Sequence, residues 1–367
     1  MGVDYRMIDP GSSIDMNQWR ALYEVSFNTS ISDSTWRWKY FQNPFINKKK
    51  PLIYVVEHEG TIIGSISLQP MQFVLQSQDS KENVLAGLLG NAMVHPNFRN
   101  RGIFSAMLGY VMEDAKKEGL KILYTFARNP ISLKGFLRHN WKDAADFKRY
   151  ISYINPQQAM HNYLIDTRYP AFMRFVLNII PTVPYNVKIY RMQSHRYRFT
   201  CGKVDDYLTT IEEVHRNNRE ENKISVVRNQ KSLRWLFGDP GRKYIFFGME
   251  SNDGVQAYII VRQRDSDSPG IHKSAIIEDS FSQNKNTSLD GRLLSYMMLQ
   301  LKNHQFTNIS AYFFPEGPLG LSLLLKGFIR RRTKNRFLYW LVEDESIASY
   351  PWNRIRWDLH MVDATTL

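Results

Sequence analysis

The fold of this chain is decided by residues 94–105, which read Val-His-Pro-Asn-Phe-Arg-Asn-Arg-Gly-Ile-Phe-Ser. The apolar run 85–94 that precedes them is typical of a buried strand. Downstream, apolar residues recur with the period of an amphipathic helix, at positions 104, 107, 108, 111, 112 and 115. A strand that ends at a proline and enters a helix through a glycine turn leaves backbone N–H groups unpaired at the helix N-terminus. With the helix dipole, two arginines and Gly102, the turn predicts a seat for a pyrophosphate.

The rest of the first half reads as alternating strands and helices. Two apolar runs, 52–57 and 62–68, flank Glu59-Gly60 and predict a hairpin. The helix after residue 104 closes with two lysines and Gly119, which is the pattern of a helix C-terminus. A further strand over 120–126 and a short helix over 132–140 follow.

The second half repeats this order. The segment from Trp38 to Pro44 is echoed from Trp235 to Pro240, and each is followed by a strand pair around an acidic residue and a glycine. A strand (274–279), a helix, a strand (309–314) and a short helix then follow. Matching residues are separated by nearly constant offsets: 197 for Trp38 and Trp235, 189 for Gly102 and Gly291, and 187 for Trp141 and Phe328. The repeat predicts two copies of one fold.

Composition excludes several classes of protein. The chain has 367 residues, 43% of them hydrophobic, and this is enough for two domains with real cores. One cysteine, Cys201, excludes a disulfide scaffold and a cysteine-cluster metal site, and it fits a reducing compartment. The net charge of +13 fits nucleic acid, an anionic membrane surface or a phosphate-bearing small molecule, and charge alone does not choose among them.

Targeting and membrane signals are weak. The N-terminal residues MGVDYRMIDPGSSID contain no apolar core of a signal peptide, so we expect a cytoplasmic protein. The most apolar stretch, 172–183, is interrupted by Arg174, Asn178 and Pro181 and is too short to span a bilayer. An amphipathic linker helix packed on the protein is the favoured interpretation of this stretch, and a peripheral membrane contact is the less favoured one.

The turn at 99–104 resembles the fingerprint of the GNAT family of acyl-CoA N-acyltransferases, which is Arg/Gln-x-x-Gly-x-Gly/Ala after the fourth strand. Here it reads Arg-Asn-Arg-Gly-Ile-Phe, and Phe104 departs from the last position. The hairpin before it, the helix after it, and Asn129 with Ser132 after the next strand also match the family's order. The resemblance implies an α/β fold of two tandem GNAT-like domains, each a mixed, mostly antiparallel twisted sheet flanked by helices.

The resemblance also implies acetyl-CoA as co-substrate and a set of residues that bind it. Met93 and Val94 would bind the pantetheine arm through their main chain, and Asn129 would touch the same molecule. The pyrophosphate would lie on the turn. The full set of expected binding residues is Met93, Val94, Arg99, Asn100, Arg101, Gly102, Ile103, Phe104, Ser105, Asn129 and Ser132. Each role has a structural alternative. Arg99 and Arg101 would then belong to a solvated turn, and Asn129 would be a cap at a strand end.

The acid and base of catalysis are not identified by the sequence. GNAT enzymes often use a tyrosine to protonate the leaving thiolate, and Phe136 stands at that position. A carboxylate on the fourth strand often deprotonates the amine, and this strand offers Asn91 instead. His95 and Asp279 are the other weak candidates, although a loop histidine and a solvated ion pair are their plainer interpretations. A water chain could also take the proton.

The second copy has no Arg-x-x-Gly turn. It reads Thr-Ser-Leu-Asp-Gly-Arg at 287–292, and Asp290 carries the wrong charge for a phosphate, so we expect this copy to bind no CoA. The predicted division is a GNAT domain with the acyl-CoA site (1–150), a linker helix region (151–190), a degenerate GNAT-like domain (191–345) and a C-terminal tail (346–367). Whether the tail covers a cleft or only the core stays open.

The sequence thus predicts an acetyl-CoA-dependent N-acyltransferase acting on a primary amine of a small molecule, such as an amino sugar. We expect no DNA partner, no transmembrane segment and no metal, since His-Glu-x-x-His and paired-cysteine motifs are missing from the sequence. The protein would be a monomer or a homodimer. Two alternatives stay open. One is a transferase of the peptidoglycan-bridge type that uses aminoacyl-tRNA, and the other is a non-catalytic GNAT-fold binding protein.

Overall fold

A computed structural model of the chain describes residues 2–46, 50–76, 81–146, 148–155, 196–217, 223–264, 273–283, 287–313, 319–331, 333, 335–342, 350, 352 and 356–360. The predicted linker helix region lies outside the described residues from position 156 onward, and so does the apolar stretch 172–183. Only part of the predicted C-terminal tail is described.

The first half folds in the predicted order of strands and helices. Its elements are β1 (Asp4–Met7), α1 (Ser13–Phe27), α2 (Asp33–Phe41), β2 (Leu52–His58), β3 (Thr61–Gln76), β4 (Lys81–Val94), α3 (Ile103–Lys117), β5 (Ile122–Ala127), α4 (Pro130–Arg138), β6 (Lys142–Asp146) and β7 (Lys148–Tyr153). The hairpin turn has positive φ at both Glu59 and Gly60, which matches the right-handed twist of the strands that it joins. Gly119 also has a positive φ and ends α3 as predicted.

The second half repeats the series. Its elements are β8 (Arg198–Lys203), α5 (Leu208–Asn217), β9 (Lys223–Val226), α6 (Gln230–Leu236), β10 (Lys243–Ser251), β11 (Gly254–Arg264), β12 (Lys273–Ser282), α7 (Thr287–Asn303), β13 (Phe306–Phe313), α8 (Leu319–Leu325), β14 (Ile329–Arg331), β15 (Arg336–Leu341) and β16 (Arg356–Asp358). The helix after β12 buries an apolar stripe of five residues: Leu293, Leu294, Met297, Met298 and Leu301.

Each half contributes most of the strands of one mixed sheet, and the main runs of the two sheets have the same topology. The first runs β1-β2-β3-β4-β5-β15-β6, with β9 and β16 joined to the far end of β3, and the second runs β14-β7-β13-β12-β11-β10-β8. Along each of these runs all neighbours are antiparallel except one pair, β4 with β5 in the first sheet and β12 with β13 in the second. Helices flank both sheets, and this confirms the predicted fold class of two tandem GNAT-like copies.

Each sheet contains strands of the other half: β7 of the first half lies in the second sheet, and β9, β15 and β16 of the second half belong to the first. β7 comes from the first half and lies between β13 and β14 in the second sheet. β15 comes from the second half and lies between β5 and β6 in the first sheet. The sheets are therefore built across the predicted boundary at residue 150, which falls within β7. The division of the chain into the four segments 1–150, 151–190, 191–345 and 346–367 stays a prediction.

Trp38 and Trp235, the residues that revealed the repeat, meet at the junction of the two halves. Their rings stack with centroids 5.7 Å apart. The Trp38 Nε1 donates a hydrogen bond to the carbonyl oxygen of Trp235 at 2.8 Å, and the Trp235 Nε1 donates to that of Trp38 at 3.1 Å. Because equivalent residues make reciprocal bonds, a local two-fold axis relates the copies at this point.

The hydrophobic core has a part shared by both halves and parts that belong to one. Phe73 and Tyr124 of the first sheet pack in one cluster with Phe246 and Tyr258 of the second. On the first sheet, α3 packs in one cluster and the helices α1 and α2 in another, with Met93 in the second of these. Among the described residues, no helix is long and apolar enough to cross a membrane.

Candidate functional site

The turn between β4 and α3 is held by hydrogen bonds of its own residues and contains two residues with left-handed backbone. The N–H of His95 donates to the carbonyl of Ile63 at 2.8 Å, so the end of β4 stays attached to β3. A short 3-10 helix follows over Pro96–Phe98, and the His95 Nδ1 accepts from the N–H of Asn97 at 3.3 Å. Asn100 and Gly102 both have left-handed φ, 62° and 77°, and they direct the chain into α3.

Helix α3 begins without a side-chain cap. Gly102 is the N-cap residue, has no side chain, and lies in the left-handed region, where glycine is favoured. The first helical residues, Ile103, Phe104 and Ser105, lack i−4 acceptors, as in any α-helix. A Cβ built on Gly102 meets no heavy atom within 4 Å among the described residues, so there is open space beside this cap position. Open N–H donors and the positive helix end suit a phosphate group.

Two arginines flank this helix end. Both Arg99 and Arg101 are exposed. The Arg99 Nε donates to the carbonyl of Val94 at 3.1 Å, which ties this side chain back to the end of β4. The Arg101 guanidinium lies over the Phe98 ring, 5.3 Å from its centroid. The two cations and the open helix end therefore fit a polyanionic phosphate ligand such as CoA.

Phe104, the departure from the family fingerprint, is accommodated by a change in α4. Its ring packs edge-on against Phe136, with centroids 5.4 Å apart. A Cβ on Gly135 would lie 2.5 Å from the Phe104 Cε1, so only glycine leaves room for this ring. Phe136 is buried, also contacts Trp141, and carries no ionisable group. The tyrosine position of the family is therefore part of an aromatic cluster in this protein.

Strands β4 and β5 separate before the turn. They pair in parallel only over Ala86–Leu88 and Ile122–Tyr124. Beyond this, the Thr125 Oγ1 donates to the carbonyl of Leu89 at 2.9 Å. The pairing of β4 with β3 also shifts register between Ser65 and Ser67, opposite Asn91, whose φ is 47°. This is a β-bulge, and the side chain of Asn91 at the bulge contacts the hydroxyl of Tyr40 on α2.

The predicted binding residues on the two sides of the opening between β4 and β5 have different surroundings. The Met93 side chain is buried in the core under α1 and α2, which leaves its main chain for any ligand contact. The Asn129 side chain caps α4 by accepting from the N–H of Ile131 at 2.9 Å, and Ser132 donates to the Asn129 carbonyl at 2.8 Å. Asn129 thus performs the capping role that the sequence offered as its alternative.

The three catalytic candidates lie in three different environments. Asn91 is half-buried, and its Nδ2 donates to the hydroxyl of Tyr40 on α2. His95 is half-buried in the turn and stacks edge-on with Phe98. Asp279 is fully buried and pairs with Arg228 at 3.0 Å, which lies in the same half of the chain. The expected solvated ion pair is therefore wrong for Asp279: the pair is buried, and the charge of Arg228 helps to hold the Asp279 pKa below its usual value despite burial.

The structure shows two side-chain contacts that the sequence did not predict, one of them made by the expected binding residue Ser105. The Tyr40 hydroxyl lies 3.2 Å from the Ser67 Oγ, which donates to the carbonyl of Gly90 at 3.0 Å. Near the seat, the Ser105 Oγ lies 2.7 Å from the His139 Nε2. No sequence signal marks Tyr40, Ser67 or His139, because each contact depends on how a helix packs against the bulge or the helix end. The described residues contain no group of three metal-ligating side chains placed to hold an ion.

The comparisons with known proteins agree with this geometry. The family model for the acetyltransferase (GNAT) domain matches residues 7–141. A tandem GNAT protein from the clavulanic acid biosynthesis pathway superposes with a TM-score of 0.58 at 15% identity, covering 93% of this chain and 98% of its own. None of the curated proteins compared with the chain matches it in sequence.

Two GCN5-related N-acetyltransferases show the same fold. The one from Anabaena variabilis has a TM-score of 0.59 and 12% identity, and covers 93% of this chain and 73% of its own. The one from Kribbella flavida has a TM-score of 0.57 and 11% identity, and covers 93% and 72%. At such identities the likeness shows the fold alone. Residues 7–141 therefore match the acetyltransferase (GNAT) domain in sequence, and the chain as a whole has the fold of a tandem GNAT protein.

Proposed function

We propose that this protein is an N-acyltransferase that moves the acetyl group of acetyl-CoA to a primary amine of a small molecule. The observation that carries the proposal is the open N-terminus of α3, where Gly102 stands in the cap position with space around it and two arginines lie beside it. A polyanionic acyl carrier fits such a seat better than a neutral ligand does.

The roles of the residues follow from their positions. The N–H groups of residues 103–105 and the guanidinium groups of Arg99 and Arg101 hold the phosphates. The main chain of Met93 and Val94, on the part of β4 that has left β5, aligns the arm of the carrier by strand-like hydrogen bonds. Asn129 and Ser132, at the start of α4, lie beside the arm of the carrier. Catalysis is then mainly a matter of position, because the thioester and the amine are held in contact.

The transfer step needs no group that the chain lacks. The nitrogen lone pair forms a C–N bond to the thioester carbon, and main-chain donors stabilise the resulting oxyanion. The C–S bond breaks and its electron pair goes to sulfur. The proton lost by nitrogen reaches the sulfur through water, since Phe136 cannot donate one. Cys201 takes no part, because it lies on β8 in the second sheet.

The proposal includes the class of acceptor and the place of the reaction. The acceptor binds between the two copies, on the face of the first sheet that also packs against the second half. We propose an amino sugar or another small amine as substrate. The single cysteine fits a reducing compartment, and we propose the cytoplasm.

A non-catalytic binding protein is the second candidate, and two residues favour it. Phe136 replaces a tyrosine acid and Asn91 replaces a carboxylate, so the first copy has no evident acid or base of its own. Under this alternative the seat binds CoA and no acyl group is transferred. The aminoacyl-tRNA reading predicts the opposite, which is no CoA binding.

Calorimetry with CoA, followed by a thiol-release assay, separates these functions. The assay uses acetyl-CoA with glucosamine, spermidine and a lysine-containing peptide as amines. Binding of CoA with amine-dependent thiol release supports the proposal. Binding without release for any amine supports the non-catalytic alternative, and the lack of CoA binding favours the tRNA-dependent one.

A further inference from the structure

The bulge of β4 carries a chain of hydrogen bonds whose direction can be worked out by counting protons. The chain runs from Asn91 on the bulge to Tyr40 on α2, then to Ser67 on β3, and ends at the carbonyl of Gly90. Tyr40 and Ser67 are almost completely buried, so water does not substitute for a missing partner.

The count begins at the carbonyl, which can only accept. Ser67 must therefore give its one hydroxyl proton to Gly90, and its oxygen must accept from Tyr40. Tyr40 has then spent its own proton on Ser67, so its oxygen can only accept from Asn91. The group of Asn91 that faces Tyr40 must therefore be the amide NH2. The proton count thus decides between the two possible orientations of the side-chain amide.

The amide carbonyl of Asn91 consequently points away from Tyr40. Asn91 lies three residues beyond the last pair of β4 with β5, at the point where the strands have separated, and it remains half-exposed. Its partner Tyr40 packs with α1 and α2, on the opposite face of the sheet from α3 and the phosphate seat. Burial raises the pKa of Tyr40, so the phenol stays protonated and the chain does not reverse near neutral pH.

We infer that the Asn91 carbonyl is the hydrogen-bond acceptor that orients the substrate amine, and that Tyr40 and Ser67 are positioning residues which hold it in that orientation. An amide oxygen takes one N–H of a neutral amine and leaves the nitrogen lone pair free to attack. It carries no charge, so it does not favour the unreactive ammonium form as a carboxylate would. The inference rests on the proposed function and adds the residue that receives the amine.

The sharpest test is Ser67→Ala, because Ser67 lies two hydrogen bonds away from the amine. Without its acceptor, Tyr40 turns its proton toward Asn91, and the amide must then rotate to present its carbonyl to Tyr40 and its NH2 to the amine. We expect the KM for the amine to rise about fivefold to tenfold, the range of one lost hydrogen bond, and the Kd for CoA to stay within about twofold. Ser65→Ala is the matched control, since Ser65 is an equally buried serine on β3 that accepts from the Trp19 Nε1.

Two further variants keep the test valid if Ser67→Ala does not fold. Asn91→Gly removes the amide and keeps a residue that tolerates the left-handed φ, and it should raise the amine KM by the same factor as Ser67→Ala. Tyr40→Phe removes the middle hydroxyl of the hydrogen-bond chain and should also raise the amine KM. Its control is Tyr54→Phe, a buried tyrosine that donates to Asp114 on the other face of the sheet.

The outcomes distinguish this inference from the proposed function. With glucosamine as the probe, and spermidine if glucosamine is not acetylated, a rise in amine KM for all three chain variants and for neither control supports the inference. Turnover by the wild type with an unchanged amine KM in Ser67→Ala and Asn91→Gly overturns it and leaves the proposed function standing. Equal losses of CoA affinity and amine affinity in the folded variants also overturn it. No turnover of any amine by a wild type that binds CoA overturns both.

Discussion

The two copies differ most where the fourth strand gives way to the following helix. In the first copy, eight residues (95–102) separate β4 from α3, and the helix begins just after a left-handed glycine. In the second copy, β12 ends at Ser282 and α7 is already helical at Thr287. The helix therefore begins about one turn earlier, and Gly291, the counterpart of Gly102, lies inside α7 instead of at its cap.

The charge at the two helix ends differs as well. Arg99 and Arg101 stand exposed beside the first, whereas Asp290 lies in the first turn of α7 and is only 3% exposed. A carboxylate at a helix N-terminus takes the place that an anionic ligand would otherwise have. The two copies share one sheet topology and differ at this helix end in the place of the glycine and in the sign of the neighbouring charge, and for this reason we propose a phosphate seat in the first copy alone.

The largest expected effect is on CoA binding in Gly102→Glu. A side chain at φ +77° is strained, and a carboxylate there repels the phosphates. We expect CoA affinity to fall by at least about a hundredfold, or about 2.8 kcal/mol, when measured by calorimetry. Wild type should bind one CoA per chain. Gly291→Glu is the matched control and should bind CoA like the wild type, and an equal loss in both variants would contradict the assignment of the seat to the first copy.

Only part of the fold and of the candidate site could be predicted from the sequence. The repeat, the order of elements and the α3 turn could be predicted, because each depends on local patterns such as the apolar stripes, Gly102 and the equivalent tryptophans. The exchange of β7 and β15 could not, since a strand has the same pattern in either sheet. The fit of Phe104 against Gly135 and the chain from Asn91 to Ser67 also escaped prediction, because they depend on packing between elements distant in sequence.

Asp290→Asn tests the carboxylate at the second helix end. Burial raises the pKa of Asp290 to about 6, above the value of about 3.9 for an unfolded chain. Folding therefore favours the protonated form, and the wild type gains stability as pH falls from about 6 to about 4. At pH 7 the ionised carboxylate lowers the free energy of unfolding by about 3 kcal/mol, and Asn removes this cost. Urea unfolding at pH 7 and pH 4 should show a stabilised variant at the higher pH only.

The same variant sharpens the comparison in a second way. If the charge alone had closed the second seat, Asp290→Asn would bind two CoA molecules per chain. We expect the stoichiometry to remain one, because α7 still begins one turn early and Gly291 is not at its cap. A second binding event in the calorimeter would show that the loop length matters less than the charge.

The smallest expected effect comes from the arginines beside the first seat. Arg99 and Arg101 are exposed, so each contributes a charge-assisted hydrogen bond that competes with water. We expect Arg99→Ala and Arg101→Ala each to weaken CoA binding about tenfold, or about 1.4 kcal/mol, and to flatten its dependence on salt. Arg292→Ala is the control from the second copy, where the guanidinium lies over Tyr197. If it weakened CoA binding as much as the other two, the arginines would act through net charge and not through the seat.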